Sequence, residues 1–169
     1  MMSYGADFQY FRQPGGDLLV KEMAIISLET DSDPTVLLFK APYHWRRLSE
    51  KLRNKNLYIQ RHLYGLAWDS GFHDYKELGS LIRGTLQDSS KTYVIGDEKK
   101  KFMERFKIDT YDITDLGYLQ FDTSKVVHFC SNHDFRYKTQ CATQNVKMMK
   151  KFMYTQKEWE DITMEWEYV

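Results

Sequence analysis

The sequence predicts an α/β fold, a mixed sheet of five strands with helices on both faces, in the order βββαβαβα. Three observations carry this. The first 42 residues hold three strand-like runs separated by turn signals; from residue 74 the apolar spacing becomes helical; and short apolar strands then alternate twice more with helical stripes. At 169 residues, with 42% hydrophobic and 15% aromatic side chains, the chain is large enough to bury a core without disulfides. No repeat, low-complexity tract or Pro/Gly/Ser linker divides it, so residues 1–169 read as one domain.

"DFQYFR" (7–12) and "DLLVKEMAIISL" (17–28) are rich in apolar and aromatic residues and flank "QPGG", whose proline and glycines suit a tight reversal, so the pair predicts a β-hairpin. "TDSDP" turns the chain into a third strand, "TVLLFKAP" (35–42). In "DYKELGSLIRGTLQ", Leu78, Leu81, Ile82 and Leu86 recur at helical spacing, and Asp74 with Glu77 has the form of a capping box, so a helix is expected to start near Tyr75. "KTYVIG" (91–96) reads as a buried strand, and "EKKKFMERFK" (98–107) as a helix with Phe102, Met103 and Phe106 on one face and lysines opposite. "TYDITDL" supplies the fifth strand. Ala142, Val146, Met149 and Met153 then mark the last helix, followed from about 155 by an acidic and aromatic tail, "EWEDITMEWEYV".

The formal net charge is zero, so any attraction to nucleic acid has to come from local patches rather than an overall field. The N-terminus has neither a basic start followed by an apolar stretch nor any run near twenty apolar residues, so the expectation is an intracellular protein, cytoplasmic or nuclear, without a membrane partner.

The element order is that of the RNase H-like fold, and within it the chain resembles the DnaQ-like, DEDD-type 3′-to-5′ exonucleases. In "DFQ", Asp7 matches the family's first-strand aspartate, while Gln9 stands where the glutamate belongs. "YVIGDEKKKFM" resembles the stretch with the next aspartate and places Lys99 on it, with Asp97 and Glu98 displaced. "CATQNV" resembles the terminal motif, with Gln140 at the histidine and Asn145 at the aspartate. Two-metal phosphodiester hydrolysis needs carboxylates that hold two divalent ions about 4 Å apart, and Mg²⁺ prefers anionic oxygen to amides and lysine. The resemblance therefore implies a degenerate catalytic set, Asp7, Gln9, Lys99 and Asn145, and no ordinary exonuclease activity. The other reading of Asp7 and Gln9 is of alternating strand residues without a site.

"CSNHDFRYKTQC" holds both cysteines, Cys130 and Cys141, with His133 between them. Cys-x-x-His followed by a thiolate at a helix start can close a structural zinc tetrahedron. The segment resembles that of the Maelstrom domain of the piRNA pathway, a member of the same superfamily with a Glu-Cys-His-Cys zinc site. That resemblance implies structural zinc on Cys130, His133 and Cys141, with Glu98 as the fourth ligand and His128 or His73 as substitutes. Free thiols, or less simply a disulfide, are the alternatives. The chain is also similar to uncharacterised invertebrate, viral or mobile-element proteins with a "D-x-Q-x-F" first strand and a Lys-Glu pair in the second, here Lys21 and Glu22.

Lys99, Lys100, Lys101, Arg105, Lys147, Lys150 and Lys151 lie on helical faces that could follow a phosphate backbone. Trp45, Arg46 and Arg47, with Tyr43 and His44, combine aromatic and basic groups suited to single-stranded nucleic acid. Solvated faces, or a tryptophan closing the core, explain the same residues. The functional expectation is a pseudo-nuclease that binds single-stranded RNA or a protein of an RNA-silencing or nucleic-acid-processing complex. A metal-independent RNA endonuclease of Maelstrom type and a protein-interaction module are the alternatives.

Overall fold

The computed structural model describes residues 2–119 and 141–167, with side chains through Lys157. Strands β1 (Met2–Arg12) and β2 (Leu18–Ser27) form the expected hairpin around the Pro14–Gly16 turn, where Gly15 and Gly16 take φ of 82° and 83°. These angles strain any residue with a Cβ, which is why the reversal is written in glycine. β3 (Thr35–Leu38) pairs antiparallel with β2. β4 (Ser89–Val94) runs parallel to β1, and β5 (Thr110–Asp112) parallel to β4, giving one five-stranded mixed sheet in the order β3-β2-β1-β4-β5.

Every residue of β2 is buried, because it lies between two layers. Side chains alternate across a strand: Met23 and Ile25 join Ala6 and Phe8 beneath α2 (Leu78–Thr85) and α3 (Asp97–Glu104), while Ala24 and Ile26 pack under α4 (Ala142–Glu167). Ala142, Val146 and Met149 are fully buried there, as their spacing predicted. The capping-box residues behave as expected at the start of the α2 segment, with the Asp74 backbone N–H donating to Glu77 Oε2 at 3.1 Å. The 155–167 segment, expected as a tail, continues α4 without a break to Glu167.

One helix was not in the expected order. α1 (Glu50–Ile59) is capped by Ser49, whose hydroxyl accepts from the Leu52 N–H at 3.2 Å, and runs on through a π-helical turn, Gln60–Tyr64. It is anchored by a polar residue. The Asn56 side chain accepts from the Arg12 N–H (2.8 Å) and donates to the Arg12 carbonyl (2.9 Å), as a neighbouring strand would. A third apolar cluster, Phe11, Leu19, Leu48, Ile59, Tyr64, Leu66 and Trp68, fills the space between α1 and the end of the hairpin. β3 ends at Leu38, short of the expected Pro42, because the next residues pair with the 71–73 loop: Lys40 N–H donates to the His73 carbonyl at 2.8 Å.

Candidate functional site

Two features of the sheet create a polar centre. β4 stays beside β1 only as far as Gly5, opposite Tyr93, so the rest of β1 has an open edge, and α3 begins there. On the α4 side of β1 stand Asp7 and Gln9, with Glu22 across the ladder from Gln9. Lys99 reaches in from α3 and donates to Asp7 Oδ1 at 2.5 Å; Asn145 on α4 donates to Asp7 Oδ2 at 2.7 Å. Three of the four residues read as a degenerate catalytic set thus meet at one carboxylate, which has no solvent exposure. The fourth, Gln9, is 1% exposed, and among the described residues its Oε1 has no hydrogen-bond partner; nor has the Thr143 hydroxyl at the start of α4.

The electrostatics are closed on themselves. The Lys99 ammonium neutralises Asp7 and also lies 5.5 Å from the Phe8 ring centre, where the aromatic face favours a cation. Burial, and then the negative charge of Asp7, push the Tyr118 phenol up to about 12. A divalent ion at Asp7 would have to displace the ammonium and the Asn145 amide, and two of the surrounding groups, Gln9 and Asn145, are neutral. Glu22 is a second fully buried acid; its Oε1 accepts from the Ala142 N–H at 3.2 Å, a carboxyl group at the positive end of α4.

Cys141, one residue before α4, is fully buried. Cys130, His133, His128 and Gln140 lie outside the described residues. Glu98 has other partners: Arg12 holds both its oxygens, each at 2.9 Å, and Tyr10 donates to Oε1 at 3.0 Å. The Arg12 hydrogen bonds, the largest influence, hold the Glu98 carboxyl below its usual range, and burial followed by the Glu98 hydrogen bond raises Tyr10 to about 12. Among the described residues no three His, Cys, Asp or Glu side chains gather to hold a metal ion. His73 lies between the Phe39 and Phe72 rings, 3.8 Å from the Glu77 carboxylate.

The candidate phosphate-binding cations divide into two groups. On α3 they are paired: Lys99 with Asp7, Lys100 with Glu104 (3.8 Å), Lys101 with Asp97 (2.9 Å), and Arg105, just past the helix, with Asp17 (2.8 Å). On α4, Lys147 and Lys151 are exposed, while Lys150 donates to the Thr30 carbonyl at 2.5 Å. The stretch 44–62 is different. It carries Arg46, Arg47, Lys51, Arg53, Lys55 and Arg61 against a single acid, Glu50, and none of the six cations has a carboxylate partner among the described residues. Lys51, Lys55 and Tyr58 fall on one face of α1. Tyr58 is 60% exposed, and its ring lies 4.5 Å from that of His62.

Trp45 stands in a short helical turn, Trp45–Arg47, with Arg46 and Arg47 exposed, and shares a cleft with Leu57 and Gln60, which lie on another side of the helix from Lys51, Lys55 and Tyr58. His44 caps the turn, its Nδ1 accepting from the Arg46 N–H at 3.1 Å, which leaves Nε2 as the protonated nitrogen of the neutral ring. The Trp45 ring meets Trp68 edge to face at 5.2 Å. The Trp68 indole N–H donates to the Tyr43 carbonyl at 3.1 Å. Beneath the Trp68 loop, the Lys21 ammonium donates to the Trp68 carbonyl at 2.8 Å and also to that of Ser70, and burial lowers Lys21 to about 8.

No protein-family model matches the chain, and no curated protein matches it. The site therefore rests on its own geometry. Sequence reasoning named Asp7, Lys99 and Asn145 together, and Trp45, Arg46 and Arg47; it named Glu22 only as half of a Lys-Glu pair and not as a site residue, and it passed over Lys51, Arg53, Lys55, Tyr58 and Arg61. A signal was present for the last five, six cations against one acid in nineteen residues. For Glu22 it was an acid inside an otherwise apolar strand. Among the described residues no helix is long and apolar enough to cross a membrane.

Proposed function

We propose that this chain is a catalytically degenerate RNase H-like domain that binds single-stranded RNA along the 43–62 surface, as a component of an RNA-silencing or nucleic-acid-processing complex. The observation that carries the proposal is a run of six cations without carboxylate partners among the described residues, in a stretch that also carries exposed and half-exposed aromatic rings. Cations free of carboxylate partners are the ones that can exchange counterions for phosphates, and rings at their side can stack bases. The strand order β3-β2-β1-β4-β5, with β2 antiparallel to both neighbours, supports the RNase H-like reading. The ammonium on Asp7, where that reading expects metal, supports the loss of two-metal chemistry.

Structural zinc belongs to the same proposal. Buried Cys141 would supply one thiolate and Cys130 and His133 two further ligands. Glu98 would complete the set only by releasing Arg12, so Cys141→Ser is expected to remove zinc, as read by elemental analysis, and Glu98→Ala to leave most of it. Fluorescence polarisation of labelled single-stranded RNA, in buffer free of Mg²⁺ and Mn²⁺ but without chelator so that zinc is kept, tests the function. Saturable, salt-sensitive binding without cleavage is expected. Cleavage under these conditions would replace the reading with a nuclease that needs neither Mg²⁺ nor Mn²⁺, and absence of binding would leave a protein-interaction module.

A further inference from the structure

Tyr43, Trp45 and Trp68 line a cleft of about 610 Å³ between the end of β3, α1 and the loop that carries Trp68. That size suits a small planar ligand, since sites for such molecules enclose roughly 300–1,000 Å³. Its wall is fixed before anything binds. Trp68 is 6% exposed, is hydrogen-bonded to the Tyr43 carbonyl, lies 5.5 Å from the Phe11 ring, and has its own carbonyl held by Lys21. Trp45 is half-exposed, which leaves part of its ring open to a partner. Besides the rings, the polar side chains in the lining are His44, Gln60 and Asp69, within the same cleft as a stacked ring would be, and the exposed Lys40.

We propose that this cleft takes one unpaired nucleobase of a bound RNA strand, and takes guanine in preference to the others; the inference rests on the RNA-binding reading above. The cations next to it, Arg46 and Arg47, are placed in sequence to hold the phosphates on either side of the inserted nucleotide. Stacking on Trp45 accepts any base, because every base has an aromatic face. Asp69 is what selects. A carboxylate accepts hydrogen bonds and donates none, and guanine presents two N–H donors side by side, at N1 and at its 2-amino group. Adenine and cytosine present a ring-nitrogen acceptor beside the amino group, which repels a carboxylate, and uracil offers only one N–H. An acid lining a cleft beside so basic a surface weakens nonspecific phosphate binding there, an arrangement that fits selection of a base and opposes simple charge attraction.

The test compares labelled nine-residue RNAs, all uridine or with a single central guanosine, adenosine or cytidine, on the intact protein and on Asp69→Asn and Trp45→Ala. The intact protein is expected to bind the guanosine oligomer about tenfold tighter than the all-uridine one. Asp69→Asn, a change that preserves size at an exposed position, is expected to erase that preference while all-uridine binding stays or strengthens. Trp45→Ala is expected to weaken the guanosine oligomer about tenfold. Equal affinity for all four oligomers, or a guanosine preference unchanged in Asp69→Asn, overturns the base pocket while leaving RNA binding in place. Failure of every oligomer to bind overturns the RNA reading itself.

Discussion

Removing the Lys99 ammonium leaves the Asp7 carboxylate fully buried with, among the described residues, a single amide donor. Breaking a buried ion pair from one side costs about 3–5 kcal/mol, so Lys99→Met is expected to lower unfolding stability by that amount in urea denaturation, and Asp7→Asn in the same chain to restore most of it. A loss under about 1 kcal/mol would show that the pair is not what balances the centre. Lys21 gives a pH signature. Its folded pKa, lowered to about 8 by burial, lies below the unfolded value of 10.5, so between those values the unfolded chain binds more protons and stability rises with pH. Wild type is therefore expected to gain stability relative to Lys21→Met from pH 8 to 9.5, and parallel curves would contradict the assignment. Asp7, Lys99 and Asn145 were legible as a set because the stretches that carry them resemble the motifs of the DEDD exonucleases, with apolar spacing putting Lys99 on the second one. The chemistry of Glu22 was not, because it depends on a ladder partner and a helix end far away in sequence.

The loop that positions Trp68 is held at Gly71, where φ is +138° and an added Cβ would lie 2.4 Å from the Phe39 backbone. Backbone cannot yield as a flexible side-chain end can. Gly71→Ala is expected to cost about 1–3 kcal/mol and to loosen the cleft, seen as a lower thermal midpoint together with a changed tryptophan emission spectrum. A stability equal to wild type would mean that the loop can leave β3 freely. α2, α3 and α4 were readable from their apolar stripes, and β1 and β2 from the turn between them. α1 was not: Leu52, Leu57 and Ile59 form no continuous stripe, and its decisive contact is the Asn56 amide on the backbone of Arg12, which no periodicity encodes. α4 ran past its expected end because the acidic and aromatic residues after 155 also suit a helix.

Among the described residues, the cations of α3 and Arg105 after it are paired with acids, Glu104 and Asp97 on the helix itself and Asp7 and Asp17 on the hairpin, while those of α1 have no carboxylate partner. Net charge and composition hid this, since the chain sums to zero; only the pairing of each cation distinguishes a solvated face from one available to phosphate. RNA held on the 43–62 surface, as proposed, would have to release counterions as the cations there meet its phosphates. The direct measurement is the salt dependence of single-stranded RNA affinity for three proteins: wild type, a variant with Arg46, Arg47, Lys51 and Lys55 changed to glutamate, and one with Lys100, Lys101 and Arg105 so changed. Each lost phosphate contact removes about 0.7 from the slope of log affinity against log salt for a single strand. The prediction is a nearly flat slope and a loss of binding for the first variant, with the second retaining most of the wild-type slope. The reverse order, or equal losses in both, would contradict it.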